Sequence, residues 1–262
     1  MKRRSLIQSA LGTAAVAGAA NLAAASGRPA IFELRRYQLR NGDDNQSQRL
    51  NEFLSKIGLP AASRAGVGPI GVFGSVIAEN TPFVITVASH ASLAALEASQ
   101  DKMAADKEYR AAREAFFGTS HVAYTRVETR LLRAFPGMPS MEIPATDGRQ
   151  SSRIFELRTY ESNNSVTLAR KIRMFEEGEI AIFRRTGLQP VFFGETIVGP
   201  NMPNLTYLLA FDDIATRDKN WGAFVKDPAW EKLRTQPGYA DSEIVSNISN
   251  CILRPLPYSQ IR

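Results

Sequence analysis

The chain has 262 residues, 44% of them hydrophobic and 22% charged, with a formal net charge of +6. That length suits one large domain or two modest ones, and the composition is ordinary for a globular protein. A single cysteine, Cys251, excludes an internal disulfide, and basic side chains scattered among acids make a solvated surface rather than a nucleic-acid footprint.

The first residues differ from the rest. Lys2-Arg3-Arg4 precedes Leu6-Ile7, and a mild Ala/Gly run from Ala10 ends in Ala23-Ala24-Ala25. A basic end, a weakly apolar middle and a small-residue exit describe a cleavable secretory signal over 1–25 rather than an uncleaved anchor. The Arg3-Arg4 pair resembles a twin-arginine signal. Cleavage after Ala25 would place the mature chain in the periplasm or outside the cell. It would also lower the formal charge to +3, since the segment carries Lys2, Arg3 and Arg4 and no acid. The body of the chain has no apolar run of the roughly 18 to 20 residues that span a membrane.

The elements that follow read as β-α-β-β-α-β. Alternation predicts a strand over 31–39. After a polar turn, Leu50, Phe53, Leu54 and Ile57 form the buried stripe of a helix over 48–65, which Pro60 is expected to kink or split. Strands follow over 70–77 and 83–89. A helical stretch begins at Ala91 and breaks near Ala105-Asp106, and a strand over 122–133 closes the unit. Residues 134–152 contain Pro136, Gly137, Pro139 and Gly148 and read as a linker. The order then repeats: strand 153–160, helix 166–185, strands 190–198 and 205–211, helical pieces 215–224 and 228–234, and strand 243–253. Asp227 is a good N-cap and Pro228 suits the first helical position.

The repetition is also literal. Ile31-Phe32-Glu33-Leu34-Arg35-Arg36-Tyr37 returns 123 residues later as Ile154-Phe155-Glu156-Leu157-Arg158-Thr159-Tyr160. Gly66 and Pro69 match Gly187 and Pro190, Asp106 and Tyr109 match Asp227 and Trp230, and Leu132-Arg133 matches Leu253-Arg254, all 121 residues apart. Agreement at separated points marks an internal duplication, with a first unit over 26–133, the linker 134–152 and a second unit over 153–262.

Each unit should form a four-stranded antiparallel sheet with both helices on one face, the ferredoxin-like arrangement. The expected fold class is therefore α+β, with the two bare sheet faces packed on each other as a barrel and the helices outside. Alternation puts Phe32 and Leu34 on one side of the first strand and Glu33, Arg35 and Tyr37 on the other; Phe155 and Leu157 oppose Glu156, Arg158 and Tyr160 in the same way. The apolar pairs are expected to face the helices. The two Glu-Arg-Tyr rows are then expected between the sheets, where their charges need pairing.

The Phe-Glu-Leu-Arg-Thr-Tyr strand at 155–160, Gly187 and Gly194, and Phe224-Val225-Lys226-Asp227-Pro228-Ala229-Trp230 make residues 154–254 resemble the NIPSNAP family. Residues 31–133 resemble it less, with Asp106-Lys107-Glu108-Tyr109 where the second unit has Asp227-Pro228-Ala229-Trp230. The resemblance implies a dimeric α/β-barrel with two units fused as an internal pseudo-dimer, and it carries over no catalytic residues. Relatives in that superfamily include small monooxygenases and haem-handling proteins, but fold alone transfers no activity.

Glu33, Arg35, Tyr37, Glu156, Arg158 and Tyr160 are the candidate ligand-binding residues. In a pocket, arginine would hold an anion, tyrosine would donate a hydrogen bond, and glutamate would orient the arginine or take a proton. As a lock, the same residues would form ion pairs that fix how the units dock. His90 and His121 lack companions at metal-ligand spacing and are expected at the surface or in caps; Trp230 and Tyr109 are expected to anchor packing. No metal or cofactor is expected. The leading expectation is an exported protein that binds a small molecule or a protein partner. The alternative is a cofactor-independent oxidoreductase or isomerase, monooxygenase-like, acting between the sheets. A third reading is assembly through exposed sheet edges or faces. No nucleic acid and no stable membrane span after signal removal are expected, and homo-oligomer formation is left open.

Overall fold

The structure, a computed structural model, describes residues 28–145 and 153–262. The expected export signal and its cleavage point at Ala25 lie outside the described residues, as does the end of the linker.

In the first unit β1 (Ile31–Gln38), β2 (Ile70–Ile77), β3 (Phe83–His90) and β4 (Arg126–Ala134) lie in the order β2-β3-β1-β4. In the second, β5 (Ile154–Glu161), β6 (Gln189–Val198), β7 (Asn204–Phe211) and β8 (Asn247–Pro255) lie in the order β6-β7-β5-β8. The sheets do more than face each other. β2 pairs with β8 and β4 with β6, both antiparallel, so eight strands close into one barrel. Closure leaves no unpaired sheet edge among the described strands, which removes the physical basis for assembly through edges.

Helices cover the outside of each half. The first unit has α1 (Gln46–Phe53) and α2 (Leu59–Arg64) joined by a π-helical turn, Leu54–Gly58, followed later by α3 (Leu93–Ala105) and α4 (Lys107–Phe117). The second has α5 (Ser165–Met174) and α6 (Ile180–Arg185) joined by the π-helical turn Phe175–Glu179, then α7 (Ile214–Val225), α8 (Pro228–Arg234) and the short α9 (Asp241–Ile244). Pro60 was expected to break the first helix. The same π turn recurs where Ala181 replaces that proline, so the extra residue in the turn, shared by both units, interrupts the regular ladder. The paired glycines Gly66 and Gly187, at φ 89° and 83°, end α2 and α6 in the left-handed conformation.

The break at Asp106 has a matching partner too. Asp106 accepts from the Tyr109 backbone N–H at 3.0 Å, and Asp227 accepts from that of Ala229 at 2.8 Å. Each aspartate also binds an arginine from the end of its unit's first helical pair, Arg64 or Arg185. The first part of the expected linker belongs to the fold. Phe135 and Met138 are buried, Phe135 donates its N–H to Phe193, and Glu142 donates its N–H to Val191.

The two strand faces are the reverse of the expectation. Phe32, Leu34, Phe155 and Leu157 point into the barrel, in a core that both units build. There the Phe73 and Phe155 rings lie 4.9 Å apart and those of Phe32 and Phe192 5.0 Å apart. The Glu-Arg-Tyr rows lie on the outer face, beneath the helices. Around Phe32 and Phe155 the barrel interior offers neither water nor helix side chains as partners, so a charge would cost most there. Under the helices, long polar side chains can reach the rows. Among the described residues, no helix is long and apolar enough to cross a membrane.

Candidate functional site

Beneath the helices of the first unit lies a cavity of about 260 Å³. Its floor is the outer sheet face: Glu33, Arg35 and Tyr37 from β1, Thr86, Ala88 and His90 from β3, and Thr129 from β4. Its walls are Leu50, Leu54 and Leu59 from the α1–α2 region, Met103 from α3, and Tyr109, Arg113 and Phe117 from α4. That volume is a little under the roughly 300–1,000 Å³ usual for drug-sized ligands, so it suits a compact molecule.

Arg35 donates through Nε to Glu33 Oε1 at 2.9 Å. His90 Nε2 stands 3.5 Å from the other carboxylate oxygen, within ion-pair range, and among the described residues that buried nitrogen has no hydrogen-bond partner. Burial pushes the Glu33 carboxyl up, but the His90 and Arg35 contacts outweigh it and hold the group below the usual carboxylate range. Glu33 is therefore an anchored anion at neutral pH. Burial raises the Tyr37 phenol despite the nearby Arg35, so Tyr37 stays a hydroxyl donor. The Arg35 side chain is 38% exposed, as its place on the floor of an open cavity requires. With Arg35 and Arg113 set against Glu33, the cavity carries an excess of positive charge. A histidine beside a carboxylate is placed to accept a hydrogen bond or a proton from a ligand.

The second unit uses the same row differently. Glu156 is fully buried and accepts from Arg158 Nη1 at 2.9 Å, Arg217 Nε at 2.9 Å, Trp221 Nε1 at 2.8 Å and Asn250 Nδ2 at 2.9 Å. Burial alone would raise this carboxyl; its donors, Arg217 foremost, bring it down to about 2. Tyr207 and Tyr160 pair through their hydroxyls at 2.8 Å. The space above is packed with rings, Phe183 lying 5.8 Å from Tyr207 and 5.6 Å from Trp221. Beside them Lys171 and Glu179, 1% and 2% exposed, pair at 3.1 Å.

Strand register shows what opens the first unit. Arg35 sits opposite Thr86, whereas Arg158 sits opposite Tyr207. The 121-residue spacing likewise sets Leu54 against Phe175, Ala62 against Phe183, Gln100 against Trp221 and His90 against Phe211. Smaller side chains leave the volume that rings fill in the second unit.

The six expected site residues thus form two separate groups of three, one lining a cavity and one locked, and neither lies between the sheets. His90 is buried in the cavity wall, not at the surface or in a cap. Its place at even spacing after Thr86 and Ala88 on the outer face of β3 was the signal available for it. Tyr109 lines the cavity instead of closing the packing there, while Trp230 is buried among Phe224 and its neighbours. His121 is exposed. Among the described residues, no three His, Cys, Asp or Glu side chains are grouped to hold a metal ion.

Two ferredoxin-like halves closed into one antiparallel barrel define the dimeric α/β-barrel class. Residues 155–260 match the NIPSNAP family model, so the likeness to that family covers the second unit. The match does not extend over the first unit, where the cavity lies. No curated protein matches the chain. Among solved structures, the chain is similar to a provisionally assigned monooxygenase from Lactobacillus acidophilus NCFM, at 12% identity over 87% of this chain and 94% of that one, with a TM-score of 0.55. A second provisionally assigned monooxygenase, from Fusobacterium nucleatum, shows 6% identity over 87% and 93%, with a TM-score of 0.54. An anthrone oxidase-like protein shows 10% identity over 87% and 91%, with a TM-score of 0.51. At these identities the likeness is one of fold.

Proposed function

We propose that this is an exported protein that binds a small molecule in the cavity of its first unit, with the second unit serving as the rigid half of the barrel. The carrying observation is the contrast between the rows: Glu156-Arg158-Tyr160 is locked by its own helices, while Glu33-Arg35-Tyr37 lines an open cavity. The ligand class follows from the walls. Leu54, Met103 and Phe117 accept a compact apolar body, and Arg35 and Arg113 face an acidic group. Export draws on the basic, alanine-rich segment 1–25. Native mass spectrometry of the protein from its own exporting cell tests both points. The reading expects a mature chain beginning after Ala25 with a bound small acid, and loss of that molecule in Thr86→Tyr. A retained molecule that survives Thr86→Tyr would place binding elsewhere.

A second reading, cofactor-independent oxidation or isomerisation, draws on His90 beside Glu33. In it, His90 removes a proton from the bound molecule and Arg35 holds the resulting anion. The barrel shared with a provisionally assigned monooxygenase and an anthrone oxidase-like protein fits this reading at the level of fold. The variant to compare is His90→Phe, which installs the residue of the second unit. Turnover lost with binding retained supports a proton acceptor; unchanged turnover rules it out.

A further inference from the structure

The second unit fills with its own side chains the place that is open in the first. On the cavity floor Thr86 lies opposite Arg35; at the same register the second unit has Tyr207 opposite Arg158. Four rings enclose Tyr207: Tyr160 at 5.3 Å, Phe193 at 5.4 Å, Phe175 at 5.6 Å and Phe183 at 5.8 Å between centroids. Their counterparts in the first unit are Tyr37, Val72, Leu54 and Ala62. Tyr37, Leu54 and Ala62 all line the cavity, as Thr86 does. The open volume therefore coincides with the place of the Tyr207 ring.

The polar end of that place is kept as well. Tyr207 and Tyr160 share a hydrogen bond at 2.8 Å, and Arg158 donates to the Tyr160 hydroxyl at 3.3 Å. Tyr37 and Arg35 hold the matching positions on β1 and line the cavity. A phenol seated where Tyr207 lies would find its hydroxyl partner in Tyr37. A neutral hydroxyl needs no net positive charge, so the Glu33 carboxylate beside Arg35 does not oppose it. Where the second unit buries Lys171 and Glu179, the first has Leu50 and Gly58, which leave that wall apolar.

Size and charge set the rest of the ligand. A dry cavity of about 150 Å³ takes up one benzene ring. The volume of about 260 Å³ therefore holds one ring with a short side chain. Arg113, exposed on α4, also lines the cavity, and its guanidinium lies 5.8 Å from the Phe117 ring centre. Among the described residues no carboxylate stands within ion-pair range of it.

We propose that the ligand of this cavity is a single-ring phenol with a short carboxylate arm. Its ring takes the place that the Tyr207 side chain has in the other half, its hydroxyl bonds Tyr37, and its carboxylate reaches Arg113. The assignment rests on the reading that the cavity binds a small acid, and it adds the ring and the hydroxyl.

Isothermal titration of the purified full chain with 4-hydroxyphenylacetate and with phenylacetate separates the two. The hydroxylated acid is expected to bind on the order of tenfold more tightly, because a site that hydrogen-bonds a hydroxyl rejects the analogue lacking it. Tyr37→Phe should erase that preference while phenylacetate still binds. Thr86→Tyr should exclude both acids, since it supplies the chain's own phenol. Equal affinities in the wild type, or a preference that survives Tyr37→Phe, would overturn the phenol and leave the small-acid reading standing. No binding of either acid, or binding that survives Thr86→Tyr, would overturn both. The wild-type comparison decides the matter even if Tyr37→Phe does not fold.

Discussion

Under the helices of the two units lie the same three residue types on the same strand, with opposite outcomes. Glu156 receives hydrogen bonds from two arginines, a tryptophan and an asparagine, and rings close over the row. Glu33 receives Arg35 with His90 close by, and an open volume remains above them. The row itself does not decide whether a cavity forms. The residues facing it do, Tyr207 and Trp221 in one half against Thr86 and Gln100 in the other. The buried Lys171–Glu179 pair belongs to the same difference, since Leu50 and Gly58 occupy the corresponding positions.

The sharpest way to break this contrast is to remove one member of that pair. Lys171→Met leaves Glu179 buried without its partner and should cost about 3–5 kcal/mol in urea unfolding, while Lys171→Met with Glu179→Leu should recover most of the loss. Importing the first unit's residue in Tyr207→Thr should cost about 3 kcal/mol and open a cavity in the second unit, measurable by the same unfolding curves.

Acid sharpens the comparison at a similar scale. In the unfolded chain the Glu156 carboxyl takes up its proton as pH falls below the usual 4.5, but in the folded protein only near 2. Protonation therefore favours the unfolded state. The contribution, about 3 kcal/mol, is complete above 4.5 and is lost as pH falls through about 2. Unfolding measured against pH should lose that part of its slope in Glu156→Gln. Glu33 is lowered in the same direction, and Glu33→Gln should flatten the curve less. The smallest effect on stability is expected from Thr86→Tyr, within about 1 kcal/mol by thermal melt, because the added ring enters existing space. Its consequence should be loss of ligand binding instead.

Much of this was legible in the chain. The repeated heptapeptide and the 121-residue spacing set out two units, their strand order and the matched aspartates that restart the outer helices. The faces of β1 and β5 were not legible. Alternation divides Phe32 and Leu34 from Glu33, Arg35 and Tyr37, but it does not say which side is drier when both are covered. Closure through the β2–β8 and β4–β6 seams decides that, and closure depends on residues far apart in sequence. The cavity had a signal that only the duplication could supply: at spacing 121, Thr86, Ala62 and Leu54 stand where the other half has Tyr207, Phe183 and Phe175. His90 was obscured by its position at the end of a strand, where a capping role is equally reasonable.

The seams that close the barrel have a consequence for symmetry. A barrel made from two identical chains would carry every substitution twice and would separate on dilution. Here both seams form within one chain, so closure does not vary with protein concentration. Covalent linkage also frees each half to change alone. Thr86 and Tyr207 can differ only because no symmetry operation relates them, and that freedom lets one half fill its outer face with rings while the other keeps a cavity.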